Sequence, residues 1–66
     1  MGVTAADVGR RVTVRYRLAA PEPGASATDV VGTLVSHGHG SWVVRRRDGS
    51  QVEVPAGDVI VAKVVD

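Results

Sequence analysis

Two histidines separated by a single glycine, His37 and His39, have the spacing in this chain that best suits metal coordination. A structural zinc ion takes four protein ligands and a catalytic one takes three. The chain has no cysteine and no third histidine, and no other side chains obviously complete the set. We therefore interpret residues 37–40 as a flexible, glycine-rich turn and predict no metal ligand.

Four serines are the candidate nucleophiles for covalent catalysis: Ser26, Ser36, Ser41 and Ser50. Each falls in a predicted loop or at the end of a predicted strand, and none has the glycine-flanked sequence of a nucleophile elbow. A domain of 66 residues also lacks the depth for a pocket that excludes water. We expect no catalytic residue, no cofactor-binding residue and no cofactor, and we expect that this chain alone is not an enzyme.

Arginines are concentrated in two windows of the sequence, residues 10–17 and 45–47. On the solvated face of a sheet, their guanidinium groups could follow a phosphate backbone. The candidate interaction surface comprises Arg15, Arg17, Arg45, Arg46 and Arg47. Three interpretations are open: a merely solvated face, which the pattern favours, a nucleic-acid interface, and an interface with another domain.

Two observations weigh against nucleic acid. Tyr16 and Trp42 are the only aromatic residues besides the histidines, and both fall at inward positions, whereas single-strand binders stack bases on exposed aromatics. Asp48 and Glu53 lie beside the second arginine window and could pair with it across a hairpin. The shortage of aromatic side chains also excludes a groove for proline-rich peptides.

The length and composition correspond to one small domain with an aliphatic core. The 66 residues carry a net charge of +1 and no cysteine, so disulfides cannot stabilise the fold. No apolar run approaches the ~18–20 residues needed to cross a bilayer, and the first residues lack the charged and apolar regions of a signal peptide. We expect a cytoplasmic domain with no membrane partner.

Residues 11–18 alternate polar and apolar side chains without interruption, which predicts a half-buried strand. The inward set is Val12, Val14, Tyr16 and Leu18. Residues 1–9 precede this strand as an N-terminal turn, in which Thr4 caps, Asp7 follows three residues later and Gly9 ends the turn.

Residues 19–27 have no periodicity and contain two prolines and a glycine, which predicts a long exposed Pro/Gly loop. A second strand follows at residues 28–36, with Val30 and Leu34 inward. Gly32 in its middle indicates a bulge or a sharp bend.

Three further strands complete the predicted sheet, at residues 41–46, 51–54 and 59–65. Asp48 and Gly49 predict the hairpin turn between the first two, and residues 55–58 predict a single 3-10 turn before the last strand. The inward residues are Trp42, Val44, Val52 and Val54. So few strands protect their edges best by curling. The fold class is therefore all-β, a small five-stranded SH3-like barrel with a long first loop and a short 3-10 turn before the last strand, in one domain spanning residues 1–66.

Five segments in this order resemble a known domain. They are residues 8–17 (VGRRVTVRYR), 28–34 (TDVVGTL), 43–49 (VVRRRDG), 54–55 (VP) and 58–63 (DVIVAK). Together they resemble the SH3-like N-terminal domain of actinobacterial GNAT-family N-acetyltransferases, some of them histone acetyltransferase-like. The resemblance covers nearly the whole chain.

The resemblance implies an accessory module placed ahead of an acetyl-CoA-dependent catalytic domain. The glycine-rich pyrophosphate loop of such a catalytic domain is absent from this sequence, so no catalytic or cofactor residue can be transferred. We therefore predict a non-catalytic interaction domain whose partner is a catalytic domain in cis or another protein. A nucleic-acid-binding barrel is the alternative, and pairing of sheet edges between copies leaves the oligomeric state open.

Overall fold

The computed structural model describes residues 2–22 and 25–65. Segments rich in valine and threonine favour extended backbone, and the described residues form five strands. These are β1 (Arg11–Glu22), β2 (Ala25–His37), β3 (Ser41–Arg45), β4 (Gln51–Pro55) and β5 (Val59–Val64). Single 3-10 turns at Ala5–Asp7 and Ala56–Asp58 precede β1 and β5. The prediction of an all-β fold with a 3-10 turn before the last strand is confirmed.

The strands form one antiparallel sheet in the order β4-β3-β2-β1-β5. Consecutive strands make three hairpins, whereas β5 pairs with β1 from the other end of the chain. In the turn between β3 and β4, Gly49 has a φ of 91°, a backbone conformation that glycine adopts at little cost. Its N–H donates to the carbonyl oxygen of Arg46 at 3.0 Å. The hairpin predicted at Asp48 and Gly49 is therefore confirmed.

The predicted loop at residues 19–27 is wrong for most of its length. Strands β1 and β2 both extend into it, and Glu22 lies opposite Ala25 in the ladder. Pro23 and Gly24 lie outside the described residues. The first hairpin is consequently much longer than the sequence pattern indicates.

Proline is compatible with this longer strand because of where β1 loses its second neighbour. The pairing of β1 with β5 ends at Tyr16, so in the described residues the rest of β1 pairs only with β2. Pro21 lies in that outer part of β1. A missing N–H is better tolerated on a strand with one unpaired edge, because ladder hydrogen bonds run along only one of its sides.

The core is made almost entirely of aliphatic side chains from four strands. Its fully or almost fully buried members are Val12, Val14, Val30, Leu34, Val44 and Val54. Tyr16, Trp42 and Val52 pack against them and are half-buried, which confirms the predicted inward residues with the exception of Leu18. Leu18 is partly exposed and does not belong to this cluster. Trp42 of β3 and Val59 of β5 contact the same cluster although β2 and β1 separate their strands in the sheet. The sheet therefore curls around its apolar face.

Gly32 lies in regular register opposite Val12, so of the bulge or sharp bend predicted at this glycine the bulge is wrong. The irregularity of β2 falls later, between Leu34 and Ser36, where β2 pairs with β3. Gly32 instead allows the backbone at the end of β3 to approach β2 closely. A side-chain carbon at this position would overlap the carbonyl oxygen of Arg45 at the end of β3.

The N-terminal turn forms as the sequence predicts. The Thr4 hydroxyl accepts a hydrogen bond from the N–H of Ala6, and the Asp7 carboxylate accepts one from the N–H of Thr4 at 2.9 Å. Gly9 follows with a φ of 96° and donates to the carbonyl of Leu34 at 2.8 Å. The turn is thereby held against β2.

Candidate interaction surface

The outer face of the sheet brings the two arginine windows together at one end. Arg11 of β1 and Arg45 of β3 both lie opposite Thr33 of β2, one on each side. Arg46 and Arg47 continue from β3 into the turn. Together with Val31 and Gly32, these residues line a shallow depression of about 290 Å³, which we call the arginine depression.

The four arginines of the depression are exposed. Among the side chains of residues 2–18 and 26–65, the two ion pairs within 4.0 Å are Arg10 with Asp7 and Arg15 with Asp29. The arginine depression is therefore a concentrated positive charge on a chain with a net charge of only +1.

Arg15 does not share this arrangement. Its Nε donates to a carboxylate oxygen of Asp29 at 3.0 Å, directly across the β1–β2 ladder. This hydrogen bond and the charge of Asp29 raise the pKa of Arg15 above its ordinary value. Arg17 lies opposite Ala27, six residues along β1 from Arg11, a distance of roughly 20 Å at the usual rise of a strand.

The structure thus divides the predicted interaction surface. It brings Arg45, Arg46 and Arg47 into one depression, but it places Arg15 in an ion pair and Arg17 toward the far end of the hairpin. Arg11, which was not among the five candidates, joins the depression. The alternation of β1 gives Arg11 an outward position, but the strand register that sets it beside Arg45 cannot be obtained from that alternation.

The acidic residues near the second arginine window have other partners. The Asp48 carboxylate accepts hydrogen bonds from the N–H and the hydroxyl of Ser50, at 2.9 and 2.7 Å. These bonds, with a smaller contribution from the charge of Arg46, lower the pKa of Asp48. Glu53 accepts a hydrogen bond from the hydroxyl of Ser41 at 3.0 Å. The predicted pairing of both carboxylates with the arginines is not found as ion pairs in the described residues.

His37 belongs to β2 rather than to a flexible turn, which corrects the sequence prediction. Its ring stacks on Trp42, with centroids 4.4 Å apart and planes inclined by 30°. His39 is exposed in the following turn. In the part of the chain that the structure describes, no three histidine, aspartate or glutamate side chains are grouped to hold a metal ion.

An apolar surface lies along β5. The pairing of β5 with β1 shifts register between Arg15 and Tyr16, so Ile60 is an extra residue between Val59 and Val61. This shift interrupts the alternation, and the side chains of Ile60 and Val61 are 52% and 58% exposed. Both border a depression of about 430 Å³ that Trp42 and Val59 also line. We call Trp42, Val59, Ile60 and Val61 the β5 apolar surface.

A comparison with protein-family models matches residues 6–63 to the family described as the Rv0428c N-terminal Sm-like domain. The match runs from the first 3-10 turn almost to the end of β5. The chain belongs to this family. The five-stranded antiparallel sheet described above is the structure of this Sm-like domain. A comparison with curated proteins gives no match.

Membership of the Sm-like family confirms the coarser part of the sequence resemblance, which was to a small N-terminal β domain. Neither of the two 3-10 turns, nor any other described segment of this Sm-like domain, forms a helix long and apolar enough to cross a membrane.

Proposed function

We propose that this Sm-like domain is a non-catalytic accessory module that docks through the β5 apolar surface against a catalytic domain in cis. The observation that carries the proposal is the exposure of two adjacent large aliphatic side chains, Ile60 and Val61. Contiguous exposed apolar groups beside a depression are typical of protein interaction sites.

Covering Ile60 and Val61 would stabilise a docked state. Ile60 and Val61 are each about half exposed. Full burial of such side chains is worth about 1.5–3 kcal/mol each, so covering the exposed halves of both contributes roughly 1.5–3 kcal/mol. Because the domain buries few side chains of its own, this contact adds a large share to its total stabilisation. The edge of β5 opposite β1 has no strand paired to it in the described residues, so a partner can approach closely there.

The description of the family supports a partner in the same polypeptide. It names an N-terminal domain, which in Rv0428c is followed by a further part of the chain. The sequence resemblance described above suggests a GNAT-type N-acetyltransferase as that catalytic domain, in a cytoplasmic protein. The role of the module is then to position the catalytic domain or its substrate.

The remaining part of Rv0428c, expressed separately, is the probe that tests docking. We expect the Sm-like domain to bind it in calorimetry with micromolar affinity, and the double variant Ile60→Ser/Val61→Ser to bind at least tenfold more weakly. Val31→Ser is the matched control, because Val31 is 44% exposed but lies in the arginine depression. Absence of binding, or equal binding by the double variant, would contradict the proposal.

A separate titration tests the non-catalytic part of the proposal. We expect no heat of binding when acetyl-CoA is added to the isolated domain. Micromolar affinity for acetyl-CoA would overturn it.

A second candidate function, nucleic-acid binding, is favoured by the arginine depression. Such binding would weaken with added salt, because each neutralised phosphate releases counterions. We expect a triple variant with alanine at residues 45–47 to abolish a gel shift of RNA or DNA at low salt, and Arg17→Ala to leave it. No shift by the unmodified domain at low salt would reject this candidate.

A further inference from the structure

We infer that the arginine depression is a binding site for a phosphate or diphosphate group, held between Arg11 and Arg45 above the hydroxyl of Thr33. The inference does not depend on docking through β5, which uses different residues. It assigns a phosphate ligand to a depression whose arginines come from two separate windows of the sequence.

The strand register sets the distance between Arg11 and Arg45. Arg11 and Arg45 each lie directly opposite Thr33, on neighbouring strands. Directly opposed residues of antiparallel strands have Cα atoms about 4.5–5.5 Å apart, so the two arginine Cα atoms lie about 10 Å apart. An extended arginine side chain spans more than half of that separation. Both guanidinium groups can therefore reach one anion above Thr33.

The hydrogen-bond donors of the depression match the oxygen atoms of a phosphate group. Each guanidinium group presents a planar set of N–H donors that matches two phosphate oxygens at once. The Thr33 hydroxyl adds a donor at the floor of the same depression. The depression, of about 290 Å³, is far larger than the space that one water molecule needs and can admit a phosphate group.

The positive charge of the depression also favours a bound anion. Four exposed arginines share this depression, and no carboxylate of residues 2–18 and 26–65 forms an ion pair within 4.0 Å with any of them. Like charges held close together raise the free energy of the folded chain, and a bound anion relieves that repulsion. The nearest acidic neighbour in the sequence, Asp48, is engaged by Ser50 instead.

The turn that carries Arg46 and Arg47 is also fixed before any ligand binds. The N–H of Arg46 donates to the carbonyl of Ser50 at 2.7 Å, and Gly49 donates back to the carbonyl of Arg46 at 3.0 Å. A turn held in this way loses little further freedom when it contacts an anion. The backbone that carries these two arginines is therefore preorganised next to the Arg11–Thr33–Arg45 row.

Pyrophosphate is the probe for this site, followed by backbone amide shifts in NMR spectra of the 15N-labelled domain. We expect saturable binding at millimolar concentration or tighter, with shifts at Gly32, Thr33 and residues 45–47 and none at Asp29. Arg45→Gln should weaken the affinity at least tenfold and Arg17→Gln less than twofold. The dispersion of the spectra shows whether each variant is folded.

A linear titration without saturation would overturn the inference. So would shifts spread evenly over Arg15, Arg17 and the depression, or equal affinity of Arg45→Gln and Arg17→Gln. A competition with a short single-stranded oligonucleotide separates two sources of phosphate. Displacement of pyrophosphate shows that nucleic-acid phosphates occupy the site, and retention of pyrophosphate shows that the site selects free phosphate compounds.

Discussion

Gly32 of β2 packs closely against the backbone carbonyl of Arg45 at the end of β3. A methyl group at Gly32 would overlap that oxygen and would come within 3.1 Å of a methyl carbon of Val44. The contact joins the middle of β2 to the last residue of β3, where the arginine depression begins. The glycine is therefore required by space, since its φ is not in the left-handed region.

Gly32→Ala should destabilise the domain because β3 must move to admit the methyl group. We expect a loss of about 1–3 kcal/mol in the free energy of unfolding, as for other overpacked sites. Urea denaturation followed by Trp42 fluorescence measures it. Gly40→Ala is the control, because nothing lies within 4 Å of a side-chain carbon there. Equal stability of the two variants would show that β3 is free to shift.

Leu34→Ala should remove the largest fully buried side chain of the core. Buried leucines typically contribute about 2–5 kcal/mol relative to alanine, and a domain of this size has little stability to spare. We expect the variant to be largely unfolded at 25 °C by circular dichroism. Val31→Ala, one strand position from the core face and 44% exposed, should change stability by no more than about 0.5 kcal/mol.

Asp48 should make the stability of the domain depend on acidic pH. Hydrogen bonds from Ser50 lower the pKa of Asp48 in the folded state. The ionised carboxylate therefore stabilises the fold above its ordinary pKa, and the contribution is lost as pH falls through the lowered value. We expect Asp48→Ala to reduce the urea midpoint at pH 7 and to have a smaller effect below about pH 4.

The comparison variant for Asp48 is Ser50→Ala, which removes one of the two donors while leaving the carboxylate. It should reproduce part of the loss at pH 7. If Asp48→Ala destabilises equally at pH 7 and pH 3, the stabilisation does not come from the ionised form.

His37→Phe should preserve stability or raise it by up to about 1 kcal/mol. The Nε2 atom of His37 is buried and has no hydrogen-bond partner among the described residues, and such atoms destabilise the folded state. Phenylalanine removes that atom and keeps the stack on Trp42. His37→Ala removes both and should be the less stable variant. Thermal unfolding of the two variants decides the matter, and a less stable His37→Phe would show that Nε2 is satisfied in solution.

The strands and the inward side chains were predictable because alternation reports directly which face each residue occupies. Val12, Val14, Val30, Leu34 and Val54 are all buried as the period of two requires. The 3-10 turns were predictable from local signals as well, since Thr4 and Asp7 carry a capping pattern and Pro55 stands at the end of β4, directly before the second turn.

Features that depend on pairing between strands were not predictable. The bulge in β2 lies after Leu34 and not at Gly32. A glycine is needed at position 32 because the backbone carbonyl of Arg45 approaches it closely. Ile60 and Val61 are both exposed because β5 shifts register against β1. The ion pair of Arg15 with Asp29 likewise follows from the register of a hairpin whose connecting loop the sequence pattern made too long.

The attachment of β5 to β1 also sets the order in which the domain can fold. The other three strand pairings are hairpins between consecutive strands, which close over short stretches of chain. The β1–β5 ladder joins Val12 to Val64 and must wait until all five strands of the domain have left the ribosome. Because loops of this length close late, Tyr16 and its neighbours on β1 stay accessible to chaperones until the final strand arrives.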